Sequence, residues 1–261
     1  MNIPHSDFPR VIVVGGGFGG VTLSRKLTKQ NFQVVLIDHH NYHNFQPLMY
    51  QVATSGLEPD SIAFPLRGLV NDGTNFIFRL AEVESVEPVM KTLKTSIGEV
   101  TFDYLVIATG TKTNFFGNKV LEETSLQMKS VPQALNIRSY MLQNLEKATL
   151  TNDAEEQKKL MRIVLSGAGP TGVELAGAFA EFKKGVLAND YPDLNPEHME
   201  IHLLDGTSRV LASMSEKASQ KAEKYLKELG VNIHLNVMVK SYNEETVLTN
   251  TDLKIKALTF I

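Results

Sequence analysis

The sequence predicts an α/β fold, and three observations carry that prediction. Residues 11–14 (Val-Ile-Val-Val) form a β-branched apolar run that ends in the glycine turn 15–20 (Gly-Gly-Gly-Phe-Gly-Gly). A helix-compatible stretch, 21–29, leads to a second apolar run, 32–37, which stops at Asp38. The same order then recurs, with a run at 161–165, the turn Gly167-Ala-Gly-Pro-Thr-Gly172, a helical stretch at 173–183 and a run at 201–204 that stops at Asp205. Strand, glycine turn, helix and strand in this order make the βαβ unit of a parallel sheet. The first glycines of the two turns lie 152 positions apart, about one domain's length, so the repeat reads as an internal duplication. The prediction is two Rossmann-like dinucleotide-binding domains, 1–114 and 115–261.

The remaining elements follow in order. Segments 76–78, 82–89, 91–97 and 99–102 alternate in polarity and read as an antiparallel meander, returning to a buried strand at 104–110 (Tyr-Leu-Val-Ile-Ala-Thr-Gly). Residues 132–148 read as a helix, with Pro132 suited to its first turn. Residues 152–159 read as a polar, charged connection, and 183–196 as a long turn-rich insertion. A helix at 215–229 stops at Gly230, a good C-cap position. Its charged face, 216–228, reads as solvated surface. Residues 231–235 form a strand, and the chain ends on the apolar run 257–261.

Composition narrows the function classes. The 261 residues carry a net charge of −3, which gives no footprint for nucleic acid. No apolar run reaches the roughly 18 residues of a membrane span. Residues 1–10 are too short and polar for a secretory signal, so the chain reads as cytosolic in its own right. The absence of cysteine excludes a disulfide, a thiolate metal site and a cysteine redox relay.

The first turn is a Gly15-x-Gly17-x-x-Gly20 fingerprint, with Asp38 eighteen positions after its last glycine. Gly15 permits the tight turn, Gly17 lets a pyrophosphate approach the backbone, and Gly20 lets the helix pack closely, helped by the small Ser24. Bare amides and a helix dipole of roughly +0.5 charge then hold phosphate. Asp38 sits where a carboxylate accepts ribose hydroxyls. The second turn keeps Gly167, Gly169 and Gly172, with Ala176 as the small packing residue. Its acid, Asp205, lies thirty-three positions on, which insertion 183–196 accounts for if it loops out. An acid there favours NAD over NADP by repelling a 2′-phosphate, although Arg209 stands close enough to temper the preference.

Three stretches make the resemblance specific: Asn41-Tyr-His-x-Phe-Gln-Pro-Leu-Met-Tyr-Gln-Val-Ala-Thr-Ser-Gly56, Ile62-Ala-x-Pro-x-Arg67 and Gly169-Pro-Thr-Gly-Val-Glu-Leu-Ala-Gly177. Together with Ala108-Thr-Gly110 between the two turns, they resemble the type II NADH dehydrogenases of the two-dinucleotide-binding-domain flavoprotein superfamily. Those are single-subunit, non-proton-pumping NADH:quinone oxidoreductases. The resemblance implies FAD on the first unit and NAD(H) on the second, with 1–114 as only the first segment of the FAD domain. For flavin it implies Phe18, Gly19, His39, Gln46, Pro47, Val83, Ala108, Thr109 and Gly110 beside the first fingerprint. For the nicotinamide nucleotide it implies Pro170 and Thr171 beside the second. Glu174 has only Thr22 at the matching place in the first unit, and the family's glutamate there lies at the nicotinamide–flavin junction. The resemblance therefore implies a catalytic role for it, against the bland reading of a helix-start acid. His39, His40 and His43 lack further acids at ligand spacing, so no metal is expected, and their implied place is the loop over the flavin's ribose and pyrophosphate.

The chain departs from that family in two ways. Ser166 stands where a glycine is usual, and the family's return to the FAD domain, quinone site and amphipathic membrane anchor are not found in the sequence. An N-terminal fragment is therefore expected, soluble and inactive alone. The full-length protein is expected on the cytoplasmic side of the cell membrane, peripheral, with NADH and quinone as partners, no nucleic acid, and a homodimer left open. Two other functions stay open: a soluble NAD(P)H-dependent ferredoxin- or rubredoxin-reductase type, and a non-catalytic NADH-binding redox sensor.

Overall fold

A computed structural model describes residues 1–70 and 75–261. It falls into two compact units, Met1–Phe45 with Asp60–Lys112, and Gln46–Pro59 with Thr113–Ile261.

The first unit opens with β1 (Arg10–Val14), α1 (Phe18–Leu27) and β2 (Gln33–Asp38). A short ribbon follows, β3 (Tyr42–Asn44) paired with β4 (Ala63–Pro65); α2 (Met49–Ala53), which lies between them in sequence, belongs to the second unit. Next come α3 (Leu66–Leu69), β5 (Phe76–Leu80), β6 (Val83–Glu87), β7 (Thr92–Thr95), β8 (Gly98–Thr101) and β9 (Tyr104–Ile107). The main sheet is parallel, in order β5-β2-β1-β9. Alternate residues of β1 enter two cores. Val11 and Val13 pack with Val21, Leu36 and Leu66, while Ile12 and Val14 pack with Val35, Leu93 and Val100. That division is what a period of two gives a strand covered on both faces.

Two sequence expectations fail here for physical reasons. β5 was expected in the meander but pairs parallel with β2; its Phe76 and Phe78 alternate because they enter the core of the main sheet. The meander is β6-β7-β8 alone. The strand at 104–110 was expected to be buried, yet Tyr104 is 58% and Ile107 69% exposed, because β9 is an edge strand paired only with β1 among the described residues.

The second unit continues with α4 (Lys119–Thr124), α5 (Val131–Thr149), α6 (Ala154–Met161), β10 (Ile163–Ser166) and α7 (Pro170–Phe182). A π-helical turn (Lys183–Leu187) and α8 (Ala188–Asp190) extend α7, so the start of insertion 183–196 is helical and only its end is turn. Then follow β11 (Ile201–Asp205), α9 (Glu216–Leu229), β12 (Asn232–Leu235), the meander β13 (Val239–Tyr242), β14 (Thr246–Thr249) and β15 (Lys254–Lys256), and β16 (Thr259–Phe260). The parallel sheet runs β12-β11-β10-β16, and Val164, Leu204 and Phe260 share a core with Tyr242, Val247 and Ile255 of the meander. The stretch at 152–159, read as a connection, mostly forms α6: Asp153 caps it, and only Leu160 and Met161 are buried, too few to show a periodicity. Residues 46–59, which the sequence groups with 1–114, meet the second unit through α2 against α5 and α7.

Candidate functional site: two glycine turns at parallel strand ends

The first turn is built by backbone constraint. Gly15 has φ 108°, and its N–H donates to the Ile37 carbonyl at 2.8 Å. A Cβ on Gly15 would lie 2.3 Å from the Ala108 carbonyl oxygen, so the chain leaving β9 closes on this glycine. A Cβ on Gly20 would lie 1.8 Å from the Gly15 oxygen, which fixes α1 against its own turn. On the other side, a Cβ on Gly17 or Gly19 would meet nothing within 4 Å. The turn is tight toward the sheet and open in front.

Asp38 braces this turn. Its Oδ2 accepts the Gly16 N–H at 2.5 Å and its Oδ1 accepts the His40 N–H at 2.7 Å. His43, buried on β3, places Nδ1 2.8 Å from the Gly16 carbonyl oxygen. Phe18, the first residue of α1, stands edge-on to the rings of His43 and Phe45, with centroids 5.0 and 5.4 Å away. Burial, and then His39, lower the His40 pKa, while burial and Asp38 raise that of Tyr42.

The second turn repeats the design. Gly167 has φ 110° and donates to the Leu204 carbonyl at 2.8 Å. A Cβ on Gly172 would lie 1.9 Å from the Gly167 oxygen, and one on Gly169 would meet nothing within 4 Å. Asp205 Oδ2 accepts the Ala168 N–H at 2.6 Å, and its Oδ1 accepts both the N–H and the hydroxyl of Thr207, at 2.7 and 2.6 Å. The Arg209 guanidinium donates to the carbonyls of Ala212 and Met214, at 2.7 and 3.1 Å.

What these turns can bind follows from how the chain finishes its helices. The first amides of any helix lack intrahelical partners. Among the described helices of eight residues or more, the first amides of α6 and α9 are met by the side chains of Asp153 and Ser215, and α5 carries a Ser130–Gln133 capping box. In the same group α1 and α7 begin at Gly17 and Gly169 with no side-chain cap and no acid in the first turn. Their open faces and unmet donors fit a diphosphate, as helix N-termini fit anions generally. Asp38 and Asp205 keep lone pairs for ribose hydroxyls, since each carboxylate offers about four acceptor sites. The residues of both turns fit a dinucleotide.

The other sequence-nominated residues are placed less tightly. Ala108 N–H donates to the Val14 carbonyl, and Thr109 and Gly110 follow it, exposed. Val83 is half-buried at the start of β6, and His39 is 69% exposed with Nδ1 3.6 Å from Asp38 Oδ1. Gln46 and Pro47, both exposed, open the short 3-10 turn Gln46–Leu48 of the second unit. Pro170 and Thr171 occupy the first turn of α7, and Glu174 is exposed just beyond it, without a hydrogen bond or ion pair among the described residues. Asp38, His39 and His40 each bring a ligand atom within 4.8 Å of the others, a grouping that sequence spacing did not offer. Both Asp38 oxygens already accept amides there. Sequence reading missed the locking of Arg209, the His43 contact, and Leu211, whose N–H meets the Ala168 carbonyl at 2.8 Å. Leu211 has φ 49°, a left-handed conformation that nothing in its residue type announces.

Comparison with known proteins gives a consistent answer. Residues 9–261 match the family model described as pyridine nucleotide-disulphide oxidoreductase. The chain is 35% identical over 234 residues to the type II NADH:quinone oxidoreductase Ndh of Mycobacterium tuberculosis, covering 88% of this chain and 50% of that protein. It is 30% identical over 249 residues to the external alternative NADH-ubiquinone oxidoreductase of Yarrowia lipolytica mitochondria, covering 91% of this chain and 43% of that one. The structure of NDH2 from Plasmodium falciparum in complex with NADH superposes with a TM-score of 0.88 at 25% identity, over 97% of this chain and 54% of that chain. The chain thus spans about half the length of the curated relatives it matches.

Proposed function

The chain belongs to the pyridine nucleotide-disulphide oxidoreductase family, and from that premise we propose that it is the nucleotide-binding portion of a flavin-dependent NADH:quinone oxidoreductase. One observation carries the reading: two separate uncapped helix N-termini, each at a glycine turn braced by a strand-end acid. Two dinucleotides are needed where one carries electrons to the other. The printed names of the relatives, NADH:quinone and NADH-ubiquinone oxidoreductase, supply the substrates.

In this reading the 1–114 portion holds FAD and 115–261 holds NADH. Gly15, Gly17, Phe18, Gly19 and Gly20 cradle the flavin's diphosphate, and Asp38 and His39 meet its ribose. Val83 and Ala108–Thr109–Gly110 line the rest of the flavin site within this unit. Gly167, Gly169, Pro170, Thr171 and Gly172 hold the NADH diphosphate, and Asp205 holds its ribose. When bound, the flavin supplies the chemistry of taking a hydride from NADH and delivering two electrons to a quinone. The chain's own residues bind and orient. Asp205 selects against a 2′-phosphate, and Arg209, committed to two carbonyls, is not free to welcome one. Glu174 acts near the nicotinamide, since a second negative charge beside a diphosphate works against binding unless it has a task.

On this reading the whole protein takes NADH and quinone as substrates and works at the cytoplasmic face of the membrane. Among the described residues no helix is long and apolar enough to cross a membrane. The test is flavin analysis and quinone reduction with the full-length protein. FAD release on denaturation and NADH-driven quinone reduction are expected. Ferredoxin reduction without quinone reduction would favour a soluble reductase, and stoichiometric NADH binding without flavin would favour a sensor.

A further inference from the structure

The residue between the first two fingerprint glycines is Gly16 in the first unit and Ala168 in the second. Both are held at both ends of their backbone. Each N–H goes to the strand-end acid, Asp38 or Asp205. Each carbonyl is also engaged, and here the two units use unrelated donors. The Ala168 carbonyl accepts the backbone N–H of Leu211 at 2.8 Å, and Leu211 adopts φ 49° to give it. The Gly16 carbonyl meets a side chain instead, Nδ1 of His43, also at 2.8 Å. A backbone bond reached through an unfavourable conformation in one unit, and a buried histidine in the other, indicate that this carbonyl needs a partner. Left free, the peptide can rotate, and the amides that follow it lose the direction in which they face a diphosphate.

We infer that His43 is a positioning residue of the first dinucleotide site: by donating Nδ1–H to the Gly16 carbonyl, it holds the turn in its phosphate-binding shape. The inference rests on the proposed reading of the first unit as the flavin site. His43 is suited to the task because β3 and β4 fix its backbone through the Tyr42–Pro65, His43–Phe64 and Asn44–Ala63 register. Phe18 packs edge-on against its ring. A Cβ on Gly16 would lie 2.5 Å from the Leu66 side chain, so the turn is backed by bulk as well as held by the imidazole's hydrogen bond. The donating tautomer carries its proton on Nδ1, the form that a carbonyl partner selects.

The test uses the full-length protein, stripped of flavin and titrated with FAD, with NADH affinity and melting temperature measured beside it. Leucine and asparagine have nearly the same shape, but only asparagine can donate. His43→Leu should weaken FAD by roughly ten-fold, the loss of one hydrogen bond with its acceptor left unmet. His43→Asn should recover most of that loss, with NADH affinity unchanged in both. If the leucine variant does not fold, His43→Met serves as the apolar member of the pair. Wild-type FAD affinity in the apolar variant overturns the inference, and so does an equal loss in both, which would make the ring's bulk the active feature. A wild-type protein that takes up no FAD overturns the reading of the first unit, and the inference with it.

Discussion

The two glycine turns share a tight backbone frame with a bracing acid and differ in the side chains around it. Their first glycines sit at φ 108° and 110°, and their last ones would place a Cβ 1.8 and 1.9 Å from a carbonyl oxygen. Each is braced by an acid at 2.5 or 2.6 Å. Around this common frame, Phe18 stands where the second unit has Pro170, Thr22 where it has Glu174, and Ser24 where it has Ala176. Gly15 lies under the Ala108 carbonyl, while a Cβ on Gly167 would meet nothing within 4 Å. On the proposed reading, the common part answers to the geometry of phosphate on a helix end, and the divergent part to which nucleotide each turn receives.

The largest expected effect falls on the shared part. Gly20→Ala and Gly172→Ala should each disable their own turn, because the added methyl can fit only if the helix moves off the sheet. Overpacking of this kind costs about 1–3 kcal/mol or more, so a lowered melting temperature should accompany loss of FAD binding in one variant and NADH binding in the other. A Gly172→Ala protein that melts and binds NADH like wild type would break the comparison. Gly15→Ala and Gly167→Ala sharpen it. Both force a left-handed residue, at roughly 1–2 kcal/mol, but only Gly15 also meets Ala108, so its variant should be the less stable in parallel melts.

Next comes the acid of the second turn. Asp205→Ala should weaken NADH by about ten- to a hundred-fold and narrow its advantage over NADPH in titrations of both. The same change also frees the Ala168 and Thr207 amides, so some of the loss will appear as turn disorder rather than lost ribose contact. Wild-type preference for NADPH would show that Arg209 leaves its carbonyls when nucleotide arrives.

These features differ in how far the sequence discloses them. Glycines and acids at fixed spacing are legible because each has a local steric or electrostatic reason. His43 and Leu211 are not, since each acts on a carbonyl 27 or 43 positions away, and nothing in the residue type points there. β5 was misread because its alternating phenylalanines look the same in a meander and in a parallel sheet. Arg209 looked available because sequence shows a charge but not the carbonyls that hold it.

A smaller effect should be confined to the second unit. Three residues before Asp205, β11 carries His202, where β2 carries the fully buried Val35. His202 Nδ1 lies 3.1 Å from His234 Nε2, and its Nε2 lies 3.1 Å from Glu200, which Arg162 also holds. Burial foremost pushes both histidines below their usual pKa, against the pull of Glu200 on His202. The unfolded chain then takes up protons first as pH falls, so stability held above pH 6.5 should decline through the lowered folded values. Melting temperatures between pH 8 and 5 should show this decline, and His234→Leu should flatten it. An unchanged slope in that variant would place the pH dependence elsewhere.

The smallest change concerns Ser24, whose buried hydroxyl has no hydrogen-bond partner. Ser24→Ala makes the first helix match Ala176 of the second and should leave stability unchanged or raise it by up to about 1 kcal/mol. A clear loss in a denaturant melt would mean that the hydroxyl has a partner in solution.

The central claim, two unlike dinucleotide sites in one chain, is tested most directly by nucleotide stoichiometry in the full-length protein and in two variants, Asp38→Ala and Asp205→Ala. The account predicts one FAD and one NADH per chain, with Asp38→Ala reducing FAD alone and Asp205→Ala reducing NADH alone. Mutual displacement of FAD and NADH, or loss of both ligands from either single variant, would contradict it.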